Sequence, residues 1–200
     1  MNHPYKLAGI AALLLAVLFP LYWLTGIVDL ISGGLDVIHT DIQTLDAWDL
    51  LFVIIGVLEV YVYLKLSHYF RDQLHGSFAA ISFKIMALLI ALFHGLVLVD
   101  VWFALSQTTS SAQEIAELTS LATLILGGLY CIATLAMCIA TLSRFRALPY
   151  LLRAFCIGML FMAVFHLTLV LTIVGYLLFP ALLVLLAIHW LTAEQYAEVV

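Results

Sequence analysis

Charged residues are scarce in this sequence. Asp, Glu, Lys and Arg make up 10% of its 200 residues, whereas about a quarter of an ordinary soluble domain is charged. Hydrophobic residues make up 66%, and the mean hydropathy is +1.21. So few charges cannot cover a surface that faces water, which excludes a soluble globular domain and makes the lipid bilayer the main partner. The sequence also has no basic patch that could bind nucleic acid, so that class of partner is excluded.

Signatures of the common enzyme classes are also missing. The sequence contains no G-x-S-x-G, no H-E-x-x-H, no phosphate-binding loop and no dinucleotide fingerprint. Its three cysteines, Cys131, Cys138 and Cys156, lie in apolar runs and form no C-x-x-C pair. They are predicted to be small packing residues rather than disulfides or metal ligands. The sequence therefore gives no reason to predict an enzyme.

What the sequence does contain is long apolar runs. A helix needs about 20 apolar residues to cross the hydrocarbon layer. These runs predict an all-α, polytopic integral membrane helix bundle in which residues 1–200 form a single transmembrane domain. The runs lie at about 7–30, 49–70, 79–104, 118–143 and 150–190.

The last run, 150–190, is too long for one span. As one straight helix it would be roughly 60 Å long, about twice the thickness of the bilayer core. Gly175 and Pro180 are the local helix breakers, which places a turn within about 170–180. The chain is therefore predicted to have six transmembrane helices, or five if this run is a broken or re-entrant helix.

The basic residues indicate the orientation of the chain. All seven can be placed on one side of the membrane, whereas the loops on the other side carry Asp and Glu. Lys and Arg are retained on the cytoplasmic side. This pattern predicts a multi-pass protein of the bacterial inner membrane with its N-terminus and C-terminus in the cytoplasm. The basic residues are Lys6, Lys65, Arg71, Lys84, Arg144, Arg146 and Arg153.

The loop 32–48 is predicted to be more than a linker. Its apolar residues recur at steps of three and four, and its Asp residues mostly avoid that face. This periodicity is typical of an amphipathic helix that lies on the outer membrane surface. Such a segment either rests on lipid or docks a partner subunit. The apolar residues are Leu35, Ile38, Ile42, Leu45 and Trp48.

Two ionisable residues, Glu59 and His94, lie deep within the second and third runs. Antiparallel neighbouring helices would bring them to the same depth, so a hydrogen bond or an ion pair between them is predicted. Ionisable groups at this depth are unfavourable by roughly 2.5–3.5 kcal/mol and are candidates for function. The pair is therefore interpreted either as part of a proton relay or polar ligand site, or as a buried contact that fixes helix pairing.

A further histidine, His166, lies in the fifth predicted span. With Glu59 and His94 it completes a candidate intramembrane polar site. Two histidines on different spans are also what a haem b with two imidazole ligands requires. His94 and His166 are therefore candidate haem ligands.

The polar elbow between the second and third spans holds a candidate metal site. His68, Asp72 and His75 follow one another at steps of four and three, so a continuous helix would place them on one face. Three such ligands and water could bind a divalent metal ion. The alternative interpretation is a solvated helix end.

Small residues form a stripe along the fourth span. They recur at steps of three and four and therefore share one helix face. Small side chains let helix backbones approach closely in lipid. This face is predicted to pack tightly, either within the bundle or between protomers of a homo-oligomer. The stripe consists of Thr123, Gly127, Cys131, Thr134 and Cys138, continued by Thr141.

The stretch Tyr63–Leu89 resembles the central hairpin of a bacterial membrane-protein family called domain of unknown function 2975. The resemblance is carried by an aromatic and basic helix end followed by a Gly-containing turn with a Phe. It implies a first span, an outer loop and then this hairpin, but no activity. The present chain departs from the family pattern, which closes after four spans, because it adds another 40 or so apolar residues. The matching residues are Lys65, Tyr69, Phe70, Arg71, Gly76 and Phe78.

Three functions are compatible with these observations. The first is a non-enzymatic inner-membrane protein that acts as an accessory, regulatory or assembly component beside a membrane protein partner. The second is a small proton- or ion-coupled carrier that uses Glu59 and His94. The third is a b-type cytochrome membrane subunit with His94 and His166 as haem ligands.

Overall fold

The structure is a computed structural model that describes residues 5–33, 45–106, 112–143, 145–168 and 171–197. These residues are almost entirely helical, and none of them lies in a strand. A single 3-10 turn, Phe145–Ala147, is also found in the described part. The α-helices are α1 (Lys6–Gly33), α2 (Ala47–Asp72), α3 (Ser77–His94), α4 (Val97–Ser106), α5 (Ala112–Leu142), α6 (Tyr150–Leu167) and α7 (Thr172–Ala197).

Six stretches of helix are long and apolar enough to cross a membrane, which confirms the predicted all-α class with six spans. α3 and α4 together form the third span, and a short turn at Gly95 and Leu96 separates them. The spans are Lys6–Val28, Ala47–Asp72, Ser77–Trp102, Glu117–Leu142, Tyr150–Leu167 and Thr172–Thr192.

The turn between the last two spans is not formed by the predicted residues. α6 ends at Leu167 and α7 begins at Thr172, so Gly175 and Pro180 both lie inside α7. Assigning the turn to these two breakers was wrong. The end of α6 is instead capped by Thr168, whose hydroxyl donates a 2.7 Å hydrogen bond to the Phe165 carbonyl. Pro180 is tolerated because membrane helices can satisfy a freed carbonyl through neighbouring groups.

The six spans form a closed ring. Each span packs against the spans that precede and follow it in the sequence, and α1 also packs against α7. α1 and α2 run antiparallel, because Tyr5 contacts Tyr69 at one end of the pair and Tyr22 contacts Phe52 at the other. All six spans therefore face one common interior.

Aromatic contacts identify the two ends of the ring. At one end, the ring centroid of Tyr5 lies 5.3 Å from that of Tyr69 and 6.2 Å from that of Trp190. We call this the basic end, because Lys6, Arg71 and Arg146 lie there. The opposite end, the acidic end, carries Asp46, Asp49, Glu114 and Glu117.

The half of the ring near the basic end is filled by side chains. Every span contributes at least one residue that is 0% exposed. Because lipid is as apolar as these side chains, close van der Waals packing rather than the hydrophobic effect stabilises this core. A second pocket, of about 520 Å³, lies beside this core at the basic end, where the turn between α2 and α3 meets the end of α5; its lining includes Phe70, Gly76, Phe78, Ala140 and Leu148. Representative residues, one from each span, are Ala12, Leu66, Phe83, Met137, Leu152 and Leu186.

Most of the predicted amphipathic segment, 32–48, falls outside the described residues, which resume at Leu45. Trp48 belongs to the first turn of α2, and Asp46 caps that helix by accepting a 2.6 Å hydrogen bond from the Trp48 backbone. The prediction of a surface helix therefore stays a prediction.

Candidate functional site

The half of the ring near the acidic end contains a partly open cavity of about 370 Å³. This volume lies in the usual range of small-molecule pockets. Each of the six spans contributes to the wall, so the cavity is the common interior of the ring. Its lining includes Trp23 from α1, Glu59 from α2, His94 from α3, Tyr130 from α5, His166 from α6 and Tyr176 from α7.

Glu59 and His94 meet in the wall of this cavity. The Nε2 atom of His94 lies 3.3 Å from Glu59 Oε2, a long hydrogen bond. The two side chains are only 5% and 7% exposed. An isolated carboxylate at this depth would be strongly unfavourable, whereas a carboxyl and an imidazole that share one proton have no net charge. The predicted contact between these two residues is thus present, and it lies where a ligand could reach it.

His94 is held in place by a glycine of the neighbouring helix. A Cβ atom at Gly56 would lie 2.7 Å from the His94 Cβ and 2.8 Å from its Cδ2, so only glycine leaves room for this side chain. The ring centroid of Phe52, one turn earlier on α2, lies 4.0 Å from that of His94. α2 thus fixes the imidazole through Gly56, Phe52 and Glu59.

Two side chains that line the cavity each carry a buried nitrogen atom without a hydrogen-bond partner in the described part of the chain. These atoms are Nδ1 of His94 and Nε1 of Trp23. A buried polar atom without a partner is unfavourable by about 1–3 kcal/mol, so such atoms in native proteins require an explanation. A polar molecule that reached these atoms by displacing the side chains that cover them would supply the missing partners.

His166 lines the same cavity from α6, so the structure brings the three predicted residues of the polar site around one space. Its Nδ1 lies 2.9 Å from the Met162 carbonyl. Because a carbonyl oxygen only accepts, Nδ1 carries the hydrogen and Nε2 is the acceptor nitrogen. The imidazole packs edge-on against Tyr176, with 5.1 Å between centroids.

His94 and His166 thus approach one cavity from two helices, as a haem with two imidazole ligands would require. However, His94 Nε2 already faces Glu59, and His166 Nδ1 already donates to its own helix. A haem iron would have to use His94 Nδ1 and His166 Nε2. Haem b stays a prediction that the absorption spectrum of the purified protein tests.

His166 also lies against a glycine. A Cβ at Gly175 of α7 would lie 2.6 Å from His166 Nδ1. We expect Gly175→Ala to push the imidazole out of position and to lower the free energy of unfolding by about 1 kcal/mol. Detergent-based equilibrium unfolding measures this change. Gly128→Ala is the control, because a Cβ there meets nothing within 4 Å; equal stability of the two variants would contradict the packing role of Gly175.

The predicted metal site at the elbow does not form. α2 ends at Asp72, so His75 does not continue the face of His68 and Asp72; it lies in the turn with a φ of 50°. Asp72 forms an ion pair with Arg71, with 2.7 Å between Oδ1 and Nε. Within the described residues, no group of three His, Cys, Asp or Glu side chains is placed to hold a metal ion. The premise of a continuous helix was wrong, and the residues are accounted for by a solvated helix end.

The small-residue stripe of α5 packs tightly only toward the basic end. Thr134 and Cys138 are 0% exposed. The Cys138 thiol lies 3.3 Å from the Cys156 carbonyl of α6, and Cys131 is also buried. Thr123 and Gly127 instead line the cavity, and a Cβ at Gly127 would meet nothing within 4 Å. Tight contact within the bundle is therefore not found in the half of α5 near the acidic end, where the helices separate around the cavity, and contact between protomers at this face stays a prediction.

Sequence reasoning missed a pair of tyrosines, one of which, Tyr130, lines the cavity. The hydroxyls of Tyr63 on α2 and Tyr130 on α5 are hydrogen-bonded to each other. Tyr63 lies one turn beyond Glu59, and Ser67, one turn further, donates a 2.7 Å hydrogen bond to the Ala80 carbonyl. A signal was available for Tyr63 alone, because Glu59, Tyr63 and Ser67 recur at steps of four and therefore share the buried face of α2.

Comparison with known proteins adds no relative: no family model matches the chain, and neither a curated protein nor a solved structure is significantly similar to it. The likeness of Tyr63–Leu89 to domain of unknown function 2975 therefore stays a prediction. The function has to be argued from the cavity itself.

Proposed function

We propose that this protein is a small proton-coupled carrier of the bacterial inner membrane, and that its cargo binds in the central cavity. The observation that carries the proposal is the position of the Glu59–His94 pair. This pair is the buried protonatable centre of a cavity that every span helps to line. Substrate and coupling-ion sites of membrane carriers lie at this depth, between the helices of the bundle.

The distribution of space along the ring supports the same proposal. The cavity lies in the half near the acidic end, whereas side chains such as Leu66, Phe83 and Met137 fill the centre of the ring nearer the basic end; the pocket of about 520 Å³ at that end lies beside the turn between α2 and α3. A carrier alternates between states that open to one side, and one half of its interior is closed in each state. The break between α3 and α4 directly follows His94, so the outer part of the third span is a separate helical segment beside the site.

The orientation is part of the proposal. Lys6, Arg71 and Arg146 lie at the basic end, and basic residues favour the cytoplasmic side. The cavity would then occupy the half of the ring that faces away from the cytoplasm, with both termini inside. Cysteine labelling from outside intact cells tests this orientation: a cysteine introduced at Leu45 reacts, and one introduced at Ser143 does not.

Transport in proteoliposomes tests the carrier function. A suitable panel shares a naphthylmethyl group and differs in charge: (1-naphthylmethyl)ammonium, 1-naphthylmethanol and 1-naphthylacetate. We expect an imposed pH gradient to drive accumulation of at least one of the charged probes beyond that in protein-free liposomes. Glu59→Gln is expected to abolish this accumulation, because the variant cannot exchange the proton.

Three results would overturn the carrier proposal. One is that wild-type protein accumulates none of the probes. Another is that Glu59→Gln accumulates them as well as wild type does. The third is that the protein transports nothing and co-purifies with one fixed membrane partner, which would support the accessory or assembly role. A Soret band in the absorption spectrum would instead support a b-type cytochrome subunit with His94 and His166.

A further inference from the structure

We infer that the cargo is a lipophilic ammonium ion, which donates a hydrogen bond to His94 Nδ1 and enters the cavity in exchange for one proton. This inference rests on the proposed carrier function and specifies its substrate class. It draws on the charges of the cavity wall, on the unpartnered nitrogen of His94 and on the aromatic side chains around them.

The fixed charges of the wall favour a cation. Among the described residues that line the cavity there is no Lys or Arg, and Glu59 is the carboxylic acid. An anion in this space would lie near the carboxylate without a permanent positive charge to balance it, which is strongly unfavourable in an apolar environment. A cation would replace the positive charge that the shared proton now supplies.

The other titratable side chains that line the cavity are Tyr130 and Cys131 of α5, His166 of α6 and Tyr176 of α7, while Tyr63 of α2 lies one turn from Glu59.

The hydrogen bonding of His94 specifies an ammonium with an N–H. When Nε2 donates to the ionised Glu59, the neutral imidazole has its lone pair on Nδ1. Nδ1 is buried and has no partner in the described part of the chain. An ammonium N–H would donate to this lone pair, and the imidazole would link the ligand to the carboxylate. The unpartnered indole N–H of Trp23 could in addition donate to an acceptor atom on the same ligand.

Aromatic side chains complete the site. Trp23 and Tyr176 are stacked with 4.7 Å between their centroids, and Trp23 also stacks with Phe93, with 6.2 Å between the centroids. Phe19 and Phe179 also line the cavity. Aromatic rings attract cations and at the same time bury the apolar part of a ligand. Acidic residues at the same end, such as Asp46 and Glu114, would raise the local concentration of cations.

The exchange balances in charge and in protons. The empty pair is either a carboxylic acid with a neutral imidazole or a carboxylate with an imidazolium, and both forms are neutral overall. Each holds one proton more than a carboxylate with a neutral imidazole. Binding of one ammonium ion releases this proton to solvent, so the site stays neutral. The occupied site therefore contains the ammonium ion, the ionised Glu59 and the neutral His94.

Calorimetry on the full-length protein in lipid nanodiscs tests this inference, with empty nanodiscs as the blank. The probes are (1-naphthylmethyl)ammonium, its N,N,N-trimethyl analogue, 1-naphthylmethanol and 1-naphthylacetate. We expect the ammonium probe to bind about tenfold more tightly than the trimethyl analogue, which cannot donate a hydrogen bond. Its affinity should rise by about tenfold per pH unit while the empty pair holds its proton, and comparison of buffers with different ionisation enthalpies should give one released proton.

Two variants control for the role of the carboxylate. Glu59→Gln should weaken binding of the ammonium probe on the order of 100-fold, because it removes one partner of a buried charge pair. Glu59→Asp should retain most of the affinity, and its normal elution in size-exclusion chromatography would show that the pair tolerates replacement. Binding of the ammonium probe by Glu59→Gln with unchanged affinity would overturn the inference.

The probes also separate failure of the inference from failure of the carrier function. If 1-naphthylacetate or 1-naphthylmethanol binds more tightly than the ammonium probe, the cationic cargo is wrong, while a transport signal in proteoliposomes would still support a carrier. If the trimethyl analogue binds as tightly as the ammonium probe, the assignment of His94 Nδ1 as the acceptor is wrong. If the ammonium probe binds without proton release, the exchange is wrong.

Discussion

Replacing His94 alone with leucine is expected to lower the free energy of unfolding by about 3 kcal/mol, whereas replacing Glu59 and His94 together with leucine should restore most of that loss. The single variant leaves Glu59, which is 4% exposed, without its partner in an apolar wall. The double variant removes both polar groups. Removing one partner of a buried pair is much more unfavourable than removing both, because the surviving charge or polar group must be desolvated without compensation.

Equilibrium unfolding in mixed micelles measures these differences, and the double-mutant cycle gives the coupling between the two residues. His68→Leu is the matched control, because His68 is an exposed residue of the same helix as Glu59 and its replacement should change stability by less than about 0.5 kcal/mol. A double variant as unstable as His94→Leu would show that the two side chains do not act as a pair.

Gly56→Ala is expected to lower the free energy of unfolding by about 2–3 kcal/mol and to eliminate ligand binding in the cavity. The added methyl group would overlap the Cβ and Cδ2 atoms of His94, which lie 2.7 and 2.8 Å from its position. These atoms are close to the α3 backbone, so the side chain cannot avoid the overlap by rotating its tip. α2 and α3 must therefore move apart, which separates Glu59 from His94.

Gly26→Ala provides the reference for this experiment. A Cβ at Gly26 meets nothing within 4 Å, so alanine there only gains helix propensity, up to about 1 kcal/mol. The effect of Gly56→Ala should be read as the difference from that reference, with unfolding and probe binding measured on both variants. Equal stability and equal binding of the two variants would show that Gly56 does not position His94.

Features that depend on the length of an apolar run, or on the depth of a residue within the membrane, could be predicted from the sequence. Six spans follow from the apolar runs, and the contact of Glu59 with His94 follows from their equal depth in antiparallel neighbours. Features that depend on the rotation of each helix about its axis could not be predicted. α1 and α7 are apolar on all sides, so no stripe marks the face that lies inward.

Gly175 and Gly95 show that the role of a single residue also could not be predicted where it depends on another helix or on a break inside an apolar run. Gly175 was assigned to a turn because glycine commonly breaks helices, but it lies within α7 and makes room for His166. Its role depends on a residue of another helix, which no local pattern reveals. The break after His94 was also missed, because Gly95 lies in an apolar run that reads as continuous. The Tyr63–Tyr130 pair joins residues 67 positions apart, which the four-residue spacing on α2 alone could not identify.

The closure of the ring by α1 and α7 has a consequence for biogenesis. During synthesis, the first five of the six spans can insert and pack in order, because each span contacts the one before it, but the second neighbour of α1 is α7, which is synthesised after them. Until then the ring is open on one side, and Glu59 and His94 face lipid or an insertion factor through the gap. We therefore expect a nascent chain that ends before Thr172 to be recognised by membrane quality control, and insertion of α7 to be the step that protects the chain from proteolysis.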